Sequence, residues 1–87
     1  MSKSLRTPLH LQLQNFLVAL RKSKNLTQAD LALKLGRPQS FVAKYEGGER
    51  RLDVVEFVDI AYALRSDPSE LLANLIQISP KNGPRGA

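Results

Sequence analysis

The sequence predicts an all-α fold of five helices, and three observations carry that reading. Apolar residues recur at three- and four-residue spacing along most of the chain. Residues suited to helix N-caps, Thr27, Asp53 and Asp67, stand just ahead of periodic stretches. A glycine, Gly36, separates two of those stretches where one long helix would otherwise run.

The first helix is expected over Leu9 to Lys22, because Leu13, Phe16, Leu17 and Leu20 fall on one stripe. Arg21 and Lys22 close it, where cations suit the helix dipole. Ser23 to Leu26 connects. Thr27 caps a second, short helix carrying Leu31 and Leu35, with Ala32 small enough for another helix to cross closely. Gly36 tolerates positive φ, so Leu35-Gly36-Arg37-Pro38 suits a tight turn, and Pro38 fits the first turn of a third helix ending near Glu46. On that helix Val42 and Tyr45 are expected inward, and Ser40, Phe41, Ala43 and Lys44 on more accessible faces. Two helices, one sharp turn and an exposed polar face describe a helix-turn-helix. After a loop over Gly47 to Arg51, Asp53 caps a fourth helix burying Phe57, Ala61 and Leu64. Asp67-Pro68-Ser69-Glu70 opens the fifth with close to a capping box. Residues 1–8 are expected to be a flexible segment, 9–78 the folded domain, and 79–87, reading SPKNGPRGA, a disordered tail.

Leu26-Thr27-Gln28-Ala29-Asp30-Leu31-Ala32, Gly36, Gln39-Ser40, Val42, Tyr45-Glu46, Gly48 and Leu52-Asp53 resemble the Cro/phage-repressor class, also called the xenobiotic-response-element class. The likeness runs from Leu9 to Leu75. It implies a compact five-helix, lambda-repressor-like domain that binds operator DNA as a dimer and regulates transcription. Restriction-modification controllers, phage repressors and antitoxins all share this size and pattern.

The charges are placed to match. The chain has 87 residues and a net charge of +5. Between residues 21 and 51 it carries Arg21, Lys22, Lys24, Lys34, Arg37, Lys44, Arg50 and Arg51 against Asp30, Glu46 and Glu49. Between residues 52 and 78 the balance inverts, with Arg65 against Asp53, Glu56, Asp59, Asp67 and Glu70. A cationic end can dock on a polyanion while the anionic end stays available to partners.

Each candidate contact has a competing structural role. Gln39, at the start of the third helix, can bond adenine in the major groove or simply bond Gln28. The resemblance implies both, with Gln28 also holding a phosphate. Ser40 can meet a base or a phosphate, or cap its own helix. Lys44, one turn on, can reach guanine or a phosphate, or remain a solvated lysine. Phe41 can pack on a thymine methyl or against the domain, and Ala43 can face a base or permit close approach. The resemblance implies phosphate contacts by Arg50 and Arg51, with solvated loop charge as the other reading. Arg37 ranks second for a phosphate. On the fifth helix, Leu71, Leu75 and Ile78 line one face and Leu72 and Ile76 the next, serving either a dimer interface or the domain's own core.

Catalysis finds no support. His10 is the sole histidine, cysteine is absent, and no carboxylate cluster suggests a metal or acid-base site, so no cofactor or metal is expected. Apolar runs are too short to span a bilayer and no signal peptide is visible, which fits a bacterial or phage-encoded cytoplasmic protein, nucleoid-associated when bound. The expected function is a sequence-specific regulator that binds double-stranded DNA at a palindromic operator, with RNA polymerase as one possible partner. The alternative is a protein-interaction module, such as an antitoxin or adaptor, with secondary DNA binding.

Overall fold

The computed structural model of the chain describes residues 7–78. Five helices follow one another: α1 (Pro8–Ser23), α2 (Gln28–Leu35), α3 (Gln39–Glu46), α4 (Val54–Ala63) and α5 (Pro68–Ile78). Of the segments expected to be flexible or disordered, 1–8 and 79–87, residues 1–6 and 79–87 lie outside the described residues, while Thr7 and Pro8 form the cap and first residue of α1.

Local chemistry sets the helix starts. Thr7 caps α1 by accepting the His10 N–H at 3.1 Å, so the helix begins at Pro8, one residue earlier than the periodicity alone indicates. Thr27 and Asp30 exchange two bonds at the head of α2, the Asp30 N–H to Thr27 Oγ1 at 3.0 Å and the Thr27 N–H to Asp30 Oδ2 at 2.9 Å. Accepting that N–H is the main reason the Asp30 carboxyl sits below its ordinary pKa. Asp53 and Glu56 repeat the device on α4, and Asp67 Oδ1 accepts the Ser69 N–H at 2.8 Å on α5.

The helix ends share a second device. At α2, Gly36 has φ +68, its N–H reaches Leu33 O at 3.1 Å, and the Arg37 N–H reaches Ala32 O at 3.0 Å. These paired bonds form a Schellman turn, which needs the left-handed conformation that glycine adopts freely. Asn25 and Arg65 occupy the equivalent place after α1 and α4, with φ +61 and +57.

The core holds Leu17 of α1, Leu31 and Ala32 of α2, Phe41, Val42 and Tyr45 of α3, and Ile60 and Leu64 of α4. Ala32 is 3% exposed, in keeping with a close helix crossing. Ile60 is fully buried although the spacing pointed only to Phe57, Ala61 and Leu64 on α4, and Phe57 sits at the core's edge. Leu71 and Leu75 of α5, read as dimer-interface residues, are each 6% exposed because α5 packs on α1 and α4. They close this domain's own core. Leu72 and Ile76 remain exposed, and the side chain of Ile78 lies outside the described residues.

Candidate nucleic-acid interface

Half of α3 faces the core and half faces outward. Val42 and Tyr45 are buried, and so is Phe41, contrary to the accessible position expected for it. Its ring packs edge-on against Tyr45 at 5.5 Å, and the guanidinium carbons of Arg37 and Arg50 lie 4.4 and 4.9 Å from its centroid. A ring covered in this way is not presented to a thymine methyl, which removes Phe41 from the base-reading set. The outward residues are Gln39, Ser40, Ala43 and Lys44, all exposed. They form one polar strip along the helix.

A network that starts at a buried ion pair links that strip to the rest of the domain. Glu46, at the end of α3, accepts Arg21 Nε at 2.7 Å and Nη2 at 3.0 Å, while Arg21 Nη1 bonds Leu26 O at 2.7 Å. The hydrogen bonds to Glu46 raise the Arg21 pKa above its already high ordinary value. Gln28 Nε2 bonds Glu46 Oε1 at 2.9 Å, and Gln39 Nε2 reaches Gln28 Oε1 at 3.4 Å. Gln14 of α1 adds a bond to the Glu46 carbonyl at 3.2 Å. The chain Arg21–Glu46–Gln28–Gln39 therefore runs from α1 to the first exposed residue of α3. The sequence pointed to its last link, Gln28 with Gln39. Arg21 reads in the sequence as a cation of the basic segment that suits the dipole at the end of the first helix, and its pairing is hidden because its partner lies 25 residues away.

The loop after α3 departs more sharply from expectation. Arg50 donates to Glu56 Oε1 at 2.8 Å and Oε2 at 2.7 Å and to the Arg51 carbonyl at 2.9 Å. Those hydrogen bonds, with the Asp53 N–H behind them, pull the Glu56 carboxyl down to about 2. Arg37 approaches the same carboxylate at 3.6 Å. Glu56 thus belongs to the basic cluster and not to an acidic face on α4, and Arg50 holds the loop to the domain as a structural residue. Arg51 is exposed and lies beside His10, whose pKa is lowered by burial first and by that arginine second.

This geometry, a polar strip on the second helix of a tight helix-turn-helix with basic residues around it, agrees with what the comparisons find. The family profile described as Helix-turn-helix matches residues 17–71. The chain belongs to that family. An XRE-family like protein from Pseudomonas syringae pv. tomato is 44% identical over 83% of this chain and 88% of its own, with a TM-score of 0.78. The restriction-modification controller protein C.AhdI from Aeromonas hydrophila is 34% identical over 71% of this chain and 94% of its own, with a TM-score of 0.66. The wild-type controller C.Esp1396I, at 22% identity and a TM-score of 0.76, shares the fold. No curated protein sequence gives a significant match. Helix-turn-helix proteins of the XRE type are DNA-binding transcriptional regulators, and this is an all-α member of them. Among the described residues no helix is long and apolar enough to cross a membrane, and no group of histidine, cysteine, aspartate or glutamate is placed to hold a metal ion.

Proposed function

We propose that the protein binds a palindromic operator in double-stranded DNA as a homodimer, as a sequence-specific transcriptional regulator of the restriction-controller or phage-repressor kind. The observation that carries this reading is the exposed strip Gln39, Ser40, Ala43 and Lys44 on a helix whose other face is built into the core. Gln39, Ser40 and Lys44 supply donors and acceptors to base edges, and Ala43 lets the helix approach the groove. Arg51, Arg37 and Gln28 contact phosphates, which fixes the register of the helix in the groove.

Dimerisation is supported by an apolar surface on the side of α4 and α5. Val54 and Val55 are 76% and 69% exposed, and Leu72 and Ile76 are 49% and 64% exposed. A cleft of about 200 Å³ bordered by Leu13, Phe57 and Leu75 lies beside Val54 and Leu72. A two-fold axis there sets the two reading helices about 34 Å apart, one turn of DNA.

Selection from a randomised duplex pool at near-physiological salt tests the reading. Enrichment of a palindrome is expected, and Leu72→Glu should reduce it to half-sites while sedimentation shows a monomer. Retention that depends on salt but enriches no sequence would overturn it.

A further inference from the structure

Away from the α3 strip, three helix ends meet around a cleft of about 220 Å³ lined by Lys24, Leu26, Lys34, Ala63, Leu64 and Arg65. Lys24 is the C-cap of α1, Lys34 stands in the last turn of α2, and Arg65 follows the C-cap of α4. Leu64 is buried, and Leu26 and Ala63 are half-buried at the edge of the core, so the floor is apolar. No residue of α3 or of the loop that follows it borders the cleft.

Cations at helix C-termini have an ordinary use, offsetting the dipole. Each C-terminus carries roughly half a negative charge, so three ends call for about one and a half positive charges. Three cationic residues line this cleft, and no acidic residue does. Asp30, one turn before Lys34, interacts with that lysine but already accepts the Thr27 N–H. The cleft keeps a positive surplus over an apolar floor.

The backbone supplies a second, independent observation. α1, α2 and α4 end in the same Schellman turn, with Asn25, Gly36 and Arg65 at the left-handed position. Glycine and asparagine are the residues that tolerate it. Arginine carries a Cβ that opposes it, and residues held in costly conformations cluster at functional sites. At Arg65 the strained residue is also one of the three cationic residues that line the cleft.

We propose that this cleft binds a small organic anion, a phosphate or carboxylate on an apolar body. The head would pair with Lys24, Lys34 and Arg65, and the body would lie on Leu26, Ala63 and Leu64. Size agrees, since an engineered cavity of about 150 Å³ takes up benzene. The site is separate from the DNA-reading strip, so both can be occupied together.

Amide NMR of the full chain titrated with phenyl phosphate tests this, with inorganic phosphate and benzyl alcohol as its two halves. Phenyl phosphate should cause saturable shifts confined to residues 24–26, 34 and 63–65, and bind at least tenfold tighter than either half. Arg65→Gly suits the left-handed backbone, so it should melt no lower than the parent yet bind at least tenfold more weakly. Three results would overturn the proposal: undiminished binding by Arg65→Gly, shifts spread equally over α3 and Arg51, or displacement of phenyl phosphate by duplex DNA.

Discussion

Two arginine–glutamate pairs frame the recognition helix, and they differ in where they sit. Arg21 and Glu46 join α1 to the end of α3 with side chains 9% and 6% exposed. Arg50 and Glu56 join the following loop to α4 with side chains 39% and 10% exposed. Both are bidentate. The first is surrounded by core, so breaking it strands a desolvated charge. The second has water at the arginine, so its main effect is on loop conformation and on the charge offered to DNA. One chemical motif thus fixes the helix on one side and adjusts its electrostatic surroundings on the other.

The largest expected effect comes from breaking the buried pair. Arg21→Ala should lower unfolding free energy by about 3–5 kcal/mol, read by denaturant titration, because Glu46 loses its charged partner and the Leu26 carbonyl its arginine donor. The double change Arg21→Met with Glu46→Leu should recover most of that loss, since no lone charge remains buried. Failure of the double variant to recover would place the value of the pair in its links to Gln28 and Leu26 instead of in charge compensation.

Titration of the outer pair comes next. Glu56 is held at about 2 against an ordinary 4.5. A depressed carboxyl contributes stability that is complete above about pH 4.5 and is lost as pH falls toward 2. Thermal melts between these values should fall steeply for the parent and less steeply for Glu56→Gln, which should also melt lower at neutral pH. Parallel pH profiles would show that Glu56 is not the source of the acid sensitivity.

The two loop arginines sharpen the comparison on DNA. Arg51→Ala should reduce the salt slope of binding by about one without changing base preference. Arg50→Ala should change the slope less and lower stability more, because its guanidinium already serves Glu56. Equal slopes for the two variants would mean that Glu56 releases Arg50 to the phosphates. The smallest effect concerns Tyr45, whose buried hydroxyl has no hydrogen-bond partner among the described residues and whose pKa burial pushes up. Tyr45→Phe should be as stable as the parent or up to about 1 kcal/mol more so, in contrast to the cost of disturbing its paired neighbour Glu46.

Local rules made the helices legible. Thr27, Gly36, Asp53 and Asp67 announce boundaries through bonds made within a few residues. The outward strip Gln39, Ser40, Ala43 and Lys44 was legible too, because Val42 and Tyr45 fix the inward face. What was hidden depends on residues far apart in sequence or on two roles for one side chain. Phe41 neighbours Val42, and its burial follows from guanidiniums arriving from the turn and the loop. Glu56 reads only as one of the acidic charges after residue 52, and its two roles, accepting the Asp53 N–H at the helix start and gripping Arg50, appear only in three dimensions. Leu71 and Leu75 look the same as Leu72 and Ile76 on a wide apolar helix until α1 and α4 are packed against them.

The shortness of α3 has one further consequence. With eight residues and the side chains of Phe41, Val42, Tyr45 and Glu46 committed to the interior, α3 keeps four outward residues, which on the proposed reading are the letters of an address on DNA. Those letters touch little of the core, so they can be rewritten in combination without refolding the domain. A redesign confined to them should change the operator selected and leave the melting temperature where it was.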